Sequence, residues 1–187
     1  MLRKLAALAA FAIAAPLLAA SIKPLDIGGG TMLELDDGWQ VKSYRNMAMS
    51  SPEVSKALSD AREFRLSQGS SQVMISYMAM NPVPGKDGLE IDGVKILRQV
   101  MQVHLSSTTE TTIEPVVVTN GAVKIAYATL HAKPGKSVSV SAGVVGGCVT
   151  TATIVHAFAV QAIDIVSETC DTPTHAAFVV ALSNAHS

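Results

Sequence analysis

Charge is scarce in this sequence, and no segment of it is strongly basic. Charged residues make up 16% of the 187 residues, with 14 lysines and arginines against 15 acids. Proteins that bind nucleic acids or anionic membrane surfaces usually carry a dense basic patch. We therefore expect no nucleic-acid partner for this chain.

The sequence also lacks the common signatures of catalysis and metal binding. It has no Gly-x-Ser-x-Gly motif, as in many serine hydrolases. It has no His-Glu-x-x-His or His-x₃-His pair of the kind that binds zinc. The sequence has five histidines, namely His104, His131, His156, His175 and His186. We expect them to be isolated surface or hydrogen-bonded side chains. We predict no catalytic residue, no metal ligand and no cofactor.

Cysteine is limited to two residues, Cys148 and Cys170. In an oxidising compartment an even number of cysteines favours a disulfide, and we predict one between these two. The alternative is a pair of buried free thiols. A cysteine nucleophile paired with His156 or His175 is a further alternative, but the predicted disulfide would consume both thiols.

The one long apolar run lies at the N-terminus. Arg3 and Lys4 precede an apolar stretch over residues 5–18, and the small residues Ala19, Ala20 and Ser21 follow. This order is typical of a cleavable signal peptide, and the run is too short to span a bilayer. We predict a signal peptide over residues 1–21 and a single domain over residues 22–187. The mature protein is then expected to be periplasmic, without stable membrane insertion. The alternative for the N-terminal apolar run is a buried helix of the mature domain.

Three segments have the pattern of a helix. Ser51-Pro52-Glu53 is a good helix start. After it, apolar residues recur at helical spacing, namely Val54, Ala57, Leu58, Ala61 and Phe64. Gly69 ends the segment, and the alternative for its last turns is an extended piece. Asp92 is positioned to cap a second helix, and Thr172-Pro173 to open a third near the C-terminus.

Strand patterns dominate the rest of the chain. Val73 to Met80 is apolar on both sides, as in a strand that is covered on both faces. Asn120-Gly121 predicts a tight hairpin turn, and alternating segments follow up to residue 166. The run Gly28-Gly29-Gly30 reads as a flexible linker. We predict an α+β fold, a mostly antiparallel sheet with helices packed on both faces.

This order of elements resembles the Mog1/PsbP-like domains. The resemblance depends on Leu35-Asp36-Asp37-Gly38-Trp39, on the strand Val73 to Met80 after the first helix, and on C-terminal hairpins followed by a last helix. It implies a fold used mostly to bind other proteins in secretion, photosystem assembly and transport. It implies no catalytic residues.

Two features raise sharper hypotheses. Asp164 interrupts an apolar strand, so it is either a buried acid with a raised pKa or, as we expect, a residue at a sheet edge or on the solvent side. Met47-x-Met49 and Met78-x-Met80 place thioethers on one strand face, as in copper(I) sites. Methionine is also an ordinary core residue, and we expect core packing here.

These observations favour a non-enzymatic exported binding or protein-interaction protein of the cell envelope. An immunity protein that neutralises a toxin is one form of it. The alternatives are a small extracytoplasmic hydrolase, in which Asp164 and a histidine converge in a cleft, and a ligand- or copper-binding protein.

Overall fold

The computed structural model describes residues 22–46, 58–88, 90–140 and 143–187. The predicted signal peptide, Met47-x-Met49 and the predicted helix start at Ser51-Pro52-Glu53 lie outside these residues.

The described chain forms eleven strands, two short α-helices and a 3₁₀ segment. The first five strands are β1 (Ile22–Asp26), β2 (Met32–Asp36), β3 (Gln40–Asn46), β4 (Leu58–Gln68) and β5 (Ser71–Met80). Helix α1 (Gly93–Met101) and the 3₁₀ helix (Gln102–Ser107) follow. The remaining elements are β6 (Val116–Asn120), β7 (Val123–His131), β8 (Val138–Ser139), β9 (Val145–Gly146), β10 (Cys148–His156), β11 (Ala159–Ser167) and α2 (Pro173–Ser183).

Seven strands form one antiparallel sheet in the order β3-β4-β5-β11-β10-β7-β6. The C-terminal hairpin β10–β11 lies between β5 and β7, so strands that are late in the sequence occupy the middle of the sheet. The first eight residues of β10 are buried on both sides of the strand. The middle of the sheet is therefore covered on both faces.

Each face of the sheet has its own apolar cluster. The first face carries Ile75, Ile154 and Ile163, and it packs against the hairpin β1–β2 and against Phe178 of α2. The second face carries residues of β7, β10 and β11, and it packs against α1 and the β8–β9 segment. Because side chains alternate along a strand, neighbouring residues of β10 and β11 point to opposite faces.

The predicted α+β sandwich, with helices packed on both faces of the sheet, is wrong. The described part of the chain is mostly β, with 49% of its residues in strands and 18% helical. The two helices have 9 and 11 residues and form no helical layer. A β-hairpin, a 3₁₀ helix and loops supply much of the covering that was assigned to helices.

The first predicted helix is the main error, because residues from Leu58 onward form the strand β4. The apolar stripe of the predicted helix is divided between the faces of the sheet. Ala61 pairs with Met78, whereas Phe64 pairs with Ile75 on the first face. Pairing along β5 supplies a partner for nearly the whole length of β4, and this tertiary context overrides the local helical pattern.

Several local predictions are confirmed. Asp92 caps α1 by accepting a hydrogen bond from Lys95 N at 3.0 Å. Thr172 caps α2 in the same way, with His175 N as the donor. Asn120-Gly121 joins β6 to β7, with Gly121 at φ +61°. The Asn120 side chain also donates to two carbonyls at the end of α2, which joins this hairpin to the C-terminus.

The glycine run is an ordered turn rather than the predicted linker. Gly28, Gly29 and Gly30 all have positive φ and connect β1 to β2. The Gln161 side chain donates to Gly28 O at 2.9 Å, and the ring of Tyr77 lies directly against Gly28. The turn is thereby fixed to the middle of the sheet.

In the described part of the chain, no helix has both the length and the apolar character needed to cross a membrane.

Candidate functional site

Asp164 lies on β11, the fourth of the seven strands, and not at a sheet edge. It is opposite Thr151 of β10 on one side and Met74 of β5 on the other. Its side chain points to the second face and is half-buried. The structure therefore supports the buried-acid interpretation rather than the expected edge or solvent position.

The environment of Asp164 disfavours its charged form. Burial raises the pKa of the carboxyl above its ordinary value, and two weaker effects oppose it. The stronger of these is a hydrogen bond of 2.6 Å that Thr151 Oγ1 donates to Asp164 Oδ1, and the other is the field of His104. An acid with a raised pKa at the bottom of a concavity is a recognised mark of functional sites.

Two concavities meet at Asp164, and we call them together the Asp164 groove. One has a volume of about 90 Å³, and its lining includes Lys42, Arg65, Met74, Val140 and Val144. The other has a volume of about 340 Å³ and is lined by Val100, Val103, His104, Ser139 and Val140. Asp164 belongs to both linings, so the acid lies where the two join.

Val140 lines both concavities, and a local turn holds it there. Val140 N donates to Val144 O at 3.1 Å, and Gly143 N donates to Val140 O at 2.9 Å. Gly143 has φ +75°, a conformation that side-chain-bearing residues rarely adopt. The turn connects β8 to β9 and places its valines over the sheet beside Asp164.

The cations near the groove have other contacts. Lys42 Nζ donates to Gln40 Oε1 at 2.7 Å, and Arg65 forms an ion pair with Glu63 at 3.1 Å. Within the described ranges, Thr151 is the hydrogen-bond partner of Asp164, and no ion pair to Asp164 is formed. The groove thus has an apolar rim at its larger concavity, two basic side chains in the lining of the smaller one, and an acid without a cationic partner in the described residues.

A second polar cluster lies beneath the first turn of α2, on the first face of the sheet. The predicted disulfide between Cys148 and Cys170 is confirmed. His175 is 2% exposed, and its Nε2 lies 3.5 Å from Cys148 Sγ and 2.8 Å from Thr150 Oγ1. Burial lowers the pKa of this imidazole, which favours the neutral ring.

Hydroxyl groups extend this cluster across four strands. His175 Nδ1 lies 3.0 Å from Ser167 Oγ, which lies 2.7 Å from Ser71 Oγ. On the other side of the ring, Thr150 Oγ1 lies 2.6 Å from Thr129 Oγ1. Each of the four hydroxyls in this cluster therefore has a hydrogen-bond partner, as buried polar groups require. His175 is visible as a candidate in the sequence, but no local signal indicates its position between these hydroxyls.

The other histidines lie apart from one another. His131 pairs with Glu110 at 2.7 Å, and His156 Nδ1 lies 3.1 Å from Gly29 O. His186 Nδ1 lies 3.3 Å from Asn184 O. His104 shares the larger concavity with Asp164.

Of the two methionine pairs in the copper hypothesis, the structure describes only Met78-x-Met80. Met74 is buried, and Met78 is half-buried on the same face of β5. Met47-x-Met49 lies outside the described residues, so the copper site stays a prediction.

No protein-family model, curated protein or solved structure matches this chain. The resemblance to Mog1/PsbP-like domains therefore stays a prediction.

Proposed function

We propose that this protein is an exported, non-enzymatic binding protein of the cell envelope that takes a segment of a partner protein in the Asp164 groove. The observation that carries the proposal is a half-buried carboxyl at the junction of two open concavities. The partner segment that fits it has a lysine or arginine between apolar side chains.

The apolar rim supports a protein partner. Val103 is 72% exposed and Val100 is 47% exposed, and both line the larger concavity. Burial of such side chains against a partner stabilises a complex by about 25 cal/mol per Å² of apolar area removed from water. Neighbouring exposed valines are typical of the central part of an interface rather than of a solvated rim.

The electrostatics support a basic side chain in the partner. Burial already disfavours the ionised Asp164, so a cation that enters the groove restores the charged form. A buried charge is tolerated when it is paired and hydrogen-bonded, and Thr151 supplies one of the hydrogen bonds. Binding and ionisation of Asp164 are therefore coupled.

The test is capture of a partner from envelope extract with a tagged protein and two matched variants. Val103→Lys places a positive charge on the groove rim, where it opposes a basic side chain of the partner, and Val180→Lys places the same charge on α2, over the first face. Both valines are well exposed, so neither change disturbs the core. We expect a protein retained by the wild type and by Val180→Lys but not by Val103→Lys.

Asp164→Asn gives the second arm of this test. It keeps the size of the side chain and removes its charge, so the partner that Val103→Lys loses is also held more weakly by Asp164→Asn. Equal capture by all variants, or no specific protein captured by the wild type, contradicts the proposal.

A hydrolase is the second candidate, because Ser139, His104 and Asp164 line the same concavity. Nucleophile, base and orienting acid are normally joined by hydrogen bonds. Here the carboxylate accepts from Thr151, and no such bond joins the three residues in the described part of the chain. This arrangement is why we rank hydrolysis second.

Hydrolysis of a nitrophenyl ester separates the two candidates. An enzyme turns over the ester above the solvent rate, and it loses that activity in both Ser139→Ala and His104→Ala. A rate equal to that of buffer, or a rate that neither change affects, excludes the hydrolase.

A further inference from the structure

We propose that reduction of the Cys148–Cys170 disulfide by a dithiol converts the cluster beneath α2 into a zinc site, with Cys148, Cys170 and His175 as ligands. The site lies on the first face of the sheet, opposite the Asp164 groove. It is therefore independent of the proposed binding function.

The ligand atoms already have the required proximity. The two sulfurs and one nitrogen of His175 lie within 4.8 Å of one another, the one such group of histidine, cysteine or acid in the described residues. Cys148 Sγ and His175 Nε2 are 3.5 Å apart. Tetrahedral zinc, with bonds of about 2.3 Å to sulfur and about 2.0 Å to nitrogen, separates such atoms by about 3.5 Å.

The imidazole is held as metal-binding histidines usually are. Its Nδ1 lies 3.0 Å from Ser167 Oγ, and Ser167 is fixed in turn by Ser71. A hydrogen bond at one ring nitrogen sets the tautomer and aims the other nitrogen at the metal. In His175 that other nitrogen, Nε2, lies 3.5 Å from Cys148 Sγ and 2.8 Å from Thr150 Oγ1, and zinc would replace its contact with this hydroxyl.

The two cysteines differ in their freedom to move. Cys148 is the first residue of β10 and is completely buried. Cys170 is half-buried in the turn between β11 and α2, outside both elements. After reduction the sulfurs must separate to about 3.8 Å to bind one tetrahedral ion. The turn that carries Cys170 is free of strand pairing and supplies this shift.

A dithiol reduces the bridge by thiol–disulfide exchange. The disulfide accepts two electrons and two protons, which gives two thiols, while the dithiol becomes a cyclic disulfide. Zn²⁺ then displaces the two thiol protons and binds two thiolates and the neutral imidazole. Solvent takes the fourth position, next to the Thr150 hydroxyl.

The test measures cobalt binding to the full mature chain, since Co²⁺ reports thiolate ligands by its absorption. The protein is reduced with dithiothreitol, freed of reductant without air, and titrated with Co²⁺ and then Zn²⁺. We expect one equivalent of Co²⁺, a thiolate-to-cobalt charge-transfer band, and displacement of Co²⁺ by Zn²⁺. The oxidised protein gives no band.

Two histidine variants form the matched comparison. His175→Asn removes the proposed ligand, and His186→Asn removes an exposed histidine whose Nδ1 lies 3.3 Å from Asn184 O, away from the cluster. We expect at least about tenfold weaker cobalt binding in His175→Asn and no change in His186→Asn. Ser167→Ala keeps all three ligands and loses the support of Nδ1, so we expect about tenfold weaker binding there.

Three results overturn the proposal. The first is equal binding by oxidised and reduced protein, and the second is equal binding by His175→Asn and the wild type. The third is loss of the native circular dichroism spectrum on reduction, because the site needs the folded position of His175.

Discussion

Thr151 Oγ1 donates a hydrogen bond of 2.6 Å to the carboxylate of Asp164, across the two central strands of the sheet. The pair is directly opposite in the β10–β11 register and lies on the second face. Burial raises the pKa of Asp164, and this hydrogen bond opposes the increase. Stability, and the binding that we propose at the groove, are therefore linked to the charge of one side chain.

Asp164→Asn is expected to change how stability depends on pH. The unfolded aspartate ionises near pH 3.9, whereas the folded one ionises at a higher pH. As pH rises through this window the folded state holds more protons, so the wild-type free energy of unfolding falls. The decrease is complete once pH exceeds the folded pKa. Urea unfolding between pH 4 and pH 8 should show a smaller decrease in the variant.

The control for this experiment is Asp87→Asn, which changes an exposed carboxyl. It should leave the wild-type pH dependence in place. Identical profiles for the wild type and Asp164→Asn would show that Asp164 does not carry the effect.

Thr151→Val is expected to destabilise the protein near neutral pH. The change keeps the branched shape but removes the donor to a largely desolvated carboxylate, which costs about 1–3 kcal/mol. In the Asp164→Asn background the same change should cost less, because no charge needs the donor. Urea unfolding of the two single variants and the double variant measures this coupling. Strictly additive effects would mean that the two side chains act independently.

Removal of the disulfide is expected to lower stability by about 3 kcal/mol, since the bridge joins residues 22 apart in sequence and constrains the unfolded chain. The variant is Cys148→Ala with Cys170→Ala. Unfolding can be followed by the fluorescence of Trp39, whose ring lies 5.2 Å from that of Phe178 in α2.

Thiol labelling checks the state of the same cysteines. Protein isolated and denatured without reductant should label at neither cysteine, and reduced protein at both. Full labelling without reductant would mean that the bridge does not form in the cell.

Gly28→Ala is expected to destabilise the protein more than Gly30→Ala. Both glycines have positive φ, so each change strains the backbone by about 1–2 kcal/mol. A Cβ at Gly28 would also lie 2.5 Å from the ring of Tyr77, whereas none of the surrounding atoms lies within 4 Å of a Cβ at Gly30. Overpacking of this kind adds about 1–3 kcal/mol.

Thermal unfolding of the two glycine variants gives this comparison directly. Equal losses of stability would mean that Tyr77 moves away without cost and that the turn does not depend on it.

Local signals in the sequence correspond to the structure at two helix caps and one tight turn. The caps Asp92 and Thr172 and the turn Asn120-Gly121 are short-range features, in which a side chain or a backbone conformation is fixed by neighbours within four residues. The disulfide followed from the number of cysteines and the expected compartment. The signal peptide stays a prediction from residues 1–21.

Pairing between distant segments was not contained in those signals. Residues 58–68 carry a helical stripe, and only the long ladder with β5 makes them a strand. Asp164 looked like an edge residue, and only the insertion of β10–β11 between β5 and β7 places it in the middle of the sheet. The cluster around His175 likewise combines residues from β5, β10, β11 and α2.

The sequence by itself determined the turns, the helix caps, the cysteine pair and a strand-rich chain, because these depend on neighbouring residues and on composition. The tertiary structure alone decided the strand order, the fate of the first predicted helix and the groove around Asp164. The physical reason is that burial and strand pairing depend on segments far apart in sequence, whose contacts outweigh local preferences.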